Sequence, residues 1–157
     1  MYSASRHLEE TMASAYTRLA AISEERASAK PYGEKWSFKE TLGHLIDSAS
    51  NNHQRFVRMQ EVSHIGAFRY SQDHWVNSQG YASEPWRDLI DLWFRYNRHL
   101  VHVIANVDPA SLSHLCDVGD TQPATLELII TDYIRHVEHH LKQILSGVDP
   151  RSREHWK

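Results

Sequence analysis

The sequence predicts an all-α protein built as a four-helix bundle. Three observations carry this expectation. Apolar residues recur at three-to-four spacing through four long segments. No stretch shows the strict alternation of a half-buried strand. Residues that start and stop helices stand where those segments begin and end.

The first segment sets Leu8, Met12, Ala15, Leu19 and Ile22 on one face. It frays near Ser28, and Lys30-Pro31-Tyr32-Gly33 breaks it. The second begins at Ser37. Ser37 and Glu40 form an S-x-x-E capping box, in which each side chain satisfies an orphan backbone donor of the other residue. Its apolar set is Phe38, Leu42, Leu45, Ile46, Ala49 and Phe56. The stretch from Gln60 to Ala82 then exceeds the usual bundle connection of about 2–8 residues. Phe68, Tyr70, Trp75 and Tyr81 give it enough apolar surface to fold onto the bundle, where such loops often wall or cover sites.

Ser83 is the expected cap of the third helix, with Pro85 in its first turn. Leu89, Leu92, Trp93, Tyr96, Leu100, Val103 and Ile104 form the expected buried stripe. A second irregular stretch, Asn106 to Ala124, holds Cys116 and Gly119. The fourth helix is expected from about Thr125 to Ser146, stopped by Gly147. There is no internal repeat or linker, so residues 1–157 read as a single domain.

Composition narrows the function classes. Apolar residues at 41% and charged residues at 24% fit a soluble globular chain. A net charge of −3 with scattered Lys and Arg argues against nucleic acid as a partner. No run approaches the roughly 18 apolar residues of a membrane span. The N-terminus has no apolar signal core, so a cytoplasmic location is expected. The single cysteine, Cys116, excludes an intrachain disulfide and a multi-cysteine zinc site. Histidine stands out, with 12 residues, and the question becomes which of them face inward.

On the fourth segment, a wheel at roughly 100° per residue puts Leu126, Ile130, Tyr133, Ile134, Val137, Leu141 and Ile144 on one face. His140 falls inside that arc and His136 on its edge, whereas His139 falls opposite and is expected to face water. His136 and His140 are four apart, so they stand one turn from each other. A third imidazole from another helix would make a set of three nitrogen ligands with an open position, the arrangement of a catalytic metal site. On the second segment the wheel leaves the choice open. His53 lies nearer the apolar arc, while His44 shares a polar strip with Thr41, Ser48, Asn51 and Arg55. That strip reads equally as a solvated face or as the lining of a polar pocket. His99 and His102 are three apart on the third segment, with His102 turned from the core.

Together these residues resemble the DinB/YfiT-like family of metalloenzymes. The resemblance rests on Trp36-Ser37, Glu40, His44-Leu45-Ile46-Asp47-Ser48, Asn52, Arg55-Phe56, then Asp132-Tyr133-Ile134, His136 to His140 and Gln143-Ile144. Tyr70 to Val76 is similar to the loop of its YfiT-like branch. The resemblance implies an up-down-down-up bundle with one divalent ion on His44, His136 and His140, zinc or nickel above others. It also implies a homodimer and a small-molecule substrate, with a low-molecular-weight bacterial thiol as a co-substrate of some members.

The expected function is therefore that of a metalloenzyme. It transfers a small thiol to an electrophile or, as the alternative, hydrolyses a substrate with water activated by the ion. The rival class is a non-catalytic metal-binding or stress-response protein. Arg55 is a candidate for an anionic group of the substrate, and Tyr70 and Trp75 for the pocket walls. No general base stands out. Glu138 points off the His136/His140 side, and Asp47 is placed on the far side of His44.

Overall fold

The computed structural model describes residues 1–30, 35–67, 69–119 and 122–146. Phe68, the Pro31-Tyr32-Gly33 break and Gly147 lie outside them. Six helices carry the fold: α1 (Tyr2–Ala20), α2 (Glu24–Ser28), α3 (Phe38–Glu61), α4 (Gln72–Gln79), α5 (Trp86–Ala105) and α6 (Leu126–Ser146). The four long ones make the bundle. A small sheet joins β1 (His64–Ile65) in parallel to β2 (Leu115–Cys116), and β2 in antiparallel fashion to β3 (Ala124–Thr125). It ties the two irregular stretches together at one end. Its two-residue strands are too short to leave an alternation in the sequence.

Specific contacts fix the relative directions of the long helices. The Trp86 indole donates to Leu19 O at 3.1 Å, and Tyr16 donates to Asp91 at 2.7 Å, so α1 and α5 run antiparallel. His53 meets Tyr96, and the Gln60 side chain accepts from the backbone N–H of Asp108 just beyond α5, so α3 and α5 run parallel. His44 meets His136 and Phe56 meets Tyr133, so α3 and α6 run antiparallel. With α1 also against α6, the order is up-down-down-up.

The apolar stripes close on one core. The α6 face expected from the wheel is buried at every position, from Leu126 to Ile144. The α3 set Leu42, Leu45, Ile46, Ala49 and Phe56 is buried as well. Leu92 departs from its expected place and is 45% exposed. It sits one residue before Trp93, about 100° round the helix, on a side of α5 that neither α1 nor α3 covers.

Two boundaries also differ from the sequence reading. The first helix stops at Ala20 instead of fraying near Ser28. Ser23 caps a separate helix, its hydroxyl accepting from Arg26 N at 3.2 Å, with Glu24 and Glu25 in the favoured first turn. Ser83 does not cap α5. It lies in a 3₁₀ turn, Tyr81–Ser83, and donates to Gly80 O. Pro85 takes the N-cap position, and the backbone N–H of the buried Trp86 donates to the Glu24 carboxylate at 2.8 Å. A side chain from α2 does the work of a local cap.

The long connection between α3 and α5 folds back onto α3, as expected, but much of it is helical. Val76 of α4 and Tyr81 of the 3₁₀ turn are buried. Gly43 makes the docking possible, because a Cβ there would stand 2.1 Å from Tyr81 Cδ2. Gly43→Ala therefore isolates this contact. Mid-helix alanine normally stabilises by about 0.5–1 kcal/mol over glycine. Here overpacking reverses the sign, with an expected loss of about 1–3 kcal/mol by urea unfolding. An unchanged or raised stability would show that Tyr81 is not held against Gly43.

Candidate metal centre

The capping box at the start of α3 forms as expected. Ser37 N donates to Glu40 at 2.7 Å, and Glu40 N donates to the Ser37 hydroxyl at 3.3 Å. Lys30 pairs with the same carboxylate at 2.8 Å. This cap fixes the point where the chain enters α3, and Trp36, just before it, lies 5.0 Å from the His44 ring centroid to centroid.

Beyond the cap, the polar strip of α3 is not solvated. Lys39, Glu40, His44, Asp47, Ser48 and Asn51 are all buried. Buried polar groups need partners, and most of these have one. Lys39 pairs with Glu24. Asn51 donates to Asp47 O and Asn52 to Ser48 O, both at 2.9 Å. Arg55 donates to Asn52 Oδ1 at 3.0 Å. The Asp47 carboxylate, 0% exposed, accepts from the Tyr81 hydroxyl at 2.7 Å and from the Gln79 amide through the same oxygen, Oδ1.

The antiparallel α3–α6 seam brings His44 against His136 and His140. One ligand-capable atom from each lies within 4.8 Å of the others. His44 Nε2 and His136 Nε2 are 3.1 Å apart, and the ring centroids are 4.5–5.0 Å apart. Nitrogens bound about 2.0–2.1 Å from one zinc ion, at tetrahedral or right angles, stand roughly 2.8–3.4 Å apart, so the 3.1 Å spacing fits two ligands of one ion. His140 Nδ1 lies 2.7 Å from Gln143 Oε1, an oxygen that only accepts. Nδ1 therefore carries the proton, and Nε2 keeps its lone pair for the centre. The Gln143 amide in turn donates to His139 Nε2 at 2.8 Å.

His139 stays out of the cluster. It is half-buried rather than fully solvated, because Gln143 draws it against His140. His53 takes the opposite direction from the centre, bonding Tyr96 at 3.2 Å and packing against His99. Glu138 leaves the site to pair with His7 at 2.7 Å in a groove of about 440 Å³ between α1 and α6 that holds none of the three imidazoles. Asp47 is set aside by the wheel reading, yet the structure buries it one turn from His44. Tyr81, Gln79 and Gln143 are the other polar groups that sequence reasoning passed over in the site.

Tyr70 and Trp75 pack against each other, ring centroids 5.1 Å apart and planes tilted by 58°. Burial pushes the Tyr70 hydroxyl up to about 12, with the Asp47 charge adding to the shift and Arg55 opposing it. The structure thus gathers Arg55, Tyr70 and Asp47 in one electrostatic neighbourhood. Cys116 lies near Arg55, but burial raises its thiol above the ordinary value, which suits packing and not attack.

Burial also sets the charge of the centre. It lowers His44 to about 3 and His140 to about 4, and drives His136 well below its ordinary value, with neighbouring imidazoles adding repulsion for His44 and His136. All three are neutral at pH 7, the form a metal requires. Their folded values lie below the ordinary 6.5, so their contribution to stability is present above pH 6.5 and is lost as pH falls toward 4 and 3. Asp47 has the opposite sign. Burial raises it from 3.8 to about 6, so its contribution is present below 3.8 and is lost as pH rises through 6. The three histidines outweigh it. The urea midpoint of metal-free protein should fall from pH 7 to pH 5, and His140→Leu should make that fall shallower. A midpoint independent of pH over this range would contradict neutral, buried imidazoles.

Comparison with known proteins agrees with the geometry. The sequence profile of the DinB superfamily matches residues 7–144. YfiT from Bacillus subtilis, described as a probable metal-dependent hydrolase with an unusual four-helix bundle topology, is 18% identical. It superposes with a TM-score of 0.80 over 92% of this chain and 83% of its own, which establishes the shared fold. No curated protein matches the chain in sequence. With the matched stretch running from α1 through α6, the chain belongs to the DinB superfamily.

Proposed function

We propose that this protein is a divalent-metal enzyme whose ion sits on His44, His136 and His140, and that it transfers a small thiol to an electrophile. The observation that carries the proposal is the convergence of three neutral imidazoles within 4.8 Å on the α3–α6 seam, His44 buried and His136 and His140 half-buried. Three nitrogen donors suit zinc or nickel, and they leave a coordination position open. An ion there would keep a thiol as thiolate, or acidify a water, without help from a protein base.

That last property serves either nucleophile, and the thiol reading rests on the groups beside the centre. Among the described residues, Asp47 is sealed inside the protein with its Oδ1 held by Tyr81 and Gln79, and Glu138 pairs with His7. Arg55, on the same strip of α3, supplies a cation for an anionic group of the thiol. Tyr70 and Trp75 supply aromatic walls. Hydrolysis is the second reading, supported by the likeness to a protein described as a probable metal-dependent hydrolase.

Metal binding is tested by thermal unfolding with added zinc. At about 100 times its Kd a ligand adds about 2.7 kcal/mol. The unmodified protein and His139→Ala should both show the rise, while His44→Ala and His140→Ala should lose it. Equal loss in the His139 and His140 variants would refute the assigned face of α6. Activity is tested by following loss of a small thiol in the presence of monochlorobimane. Zinc-loaded protein should consume it, and His44→Ala should not. Turnover that survives removal of the metal excludes the proposal. Cleavage of an ester or amide without any thiol turnover moves the assignment to hydrolysis.

A further inference from the structure

Two polar atoms in the buried strip of α3 are left over, and they are complementary. His44 Nδ1 and Asp47 Oδ2 are each sealed from solvent, and neither has a hydrogen-bond partner among the described residues. Their side chains are 1% and 0% exposed at residue level. A neutral imidazole with Nε2 committed to a cation carries its proton on Nδ1, and a carboxylate only accepts.

Their places on the helix bring them together. Asp47 follows His44 by three residues, a spacing that makes side chains neighbours on a helix surface. Helical side chains lean toward the N-terminus, so Asp47 covers the turn that contains Gly43 and His44. Tyr81 occupies the Gly43 flank of that turn, its ring over the glycine and its hydroxyl on Oδ1. Gln79 takes the same oxygen. The carboxylate is thus pinned through Oδ1, and Oδ2, one helical turn from His44, is left without a partner among the described residues. His140 displays the equivalent arrangement already complete, with Nδ1 held by Gln143. Metal-ligating histidines characteristically donate their second N–H in this way.

We propose that Asp47 is the positioning residue of His44, accepting its Nδ1–H through Oδ2, directly or across one enclosed water, and so presenting Nε2 to the ion. The proposal rests on the metal-centre reading above. It gives the long connection a role at a distance. Tyr81 and Gln79 orient the carboxylate, the carboxylate orients His44, and the docking of the 79–81 segment is thereby coupled to metal affinity.

Zinc affinity, measured by competition with a chromophoric chelator, tests this in unmodified protein and in Asp47→Asn. The variant should bind zinc about 10–100-fold more weakly. The ring ¹⁵N and ¹H resonances of His44 in zinc-loaded protein supply a readout that a merely structural residue would not move. In unmodified protein the Nδ1–H should exchange slowly and lie downfield, and in Asp47→Asn it should lose both properties. If the variant does not fold, the unmodified protein still decides, because a His44 Nδ1–H that exchanges freely with solvent overturns the assignment. Equal zinc affinity with an unchanged resonance in Asp47→Asn also overturns it, while leaving the centre standing. Failure of the unmodified protein to bind zinc overturns the centre itself.

Discussion

The antiparallel seam between α3 and α6 brings three imidazoles together, one buried and two half-buried, and the rest of the structure answers that constraint. Desolvation opposes any charge on the rings and keeps them neutral. It also obliges their polar neighbours to find partners. Apolar burial on both sides of the seam, from Leu42 and Leu45 on α3 to Val137 and Leu141 on α6, offsets that cost. The result is a set of three neutral nitrogen donors gathered on one seam.

Elements outside the seam serve it. The Ser37–Glu40 box, worth about 1 kcal/mol as a cap, fixes where α3 starts and holds Trp36 near His44. Gln143, one turn along α6 from His139, sets the tautomer of His140. The long connection supplies Tyr81 and Gln79, which reach Asp47 from more than 30 residues away in sequence. Even α2 participates, since Glu24 binds both the start of α5 and Lys39 on α3.

How much of this was legible follows from how local each signal is. The face of α6 was readable because its apolar positions repeat without interruption, and that repeat separated His136 and His140 from His139. The face of α3 was not. Hydropathy scores polarity and ignores partners, so a buried strip of His44, Asp47, Ser48 and Asn51 looks like a wet surface. His53 lies nearer the apolar arc, yet Tyr96 and His99 take it elsewhere. Only the family resemblance pointed to His44. The cap of α5 was misplaced for a related reason, because its acceptor is Glu24, 62 residues upstream, and not Ser83. Asp47 was passed over because the groups that hold it come from a distant segment.

X-ray absorption at the zinc edge of zinc-loaded protein, purified without a histidine tag, tests the central claim most directly. The account predicts a shell of nitrogen or oxygen scatterers at about 2.0–2.1 Å, with the outer-shell pattern of three imidazoles. A sulfur scatterer at about 2.3 Å, or a shell without imidazole, would contradict it.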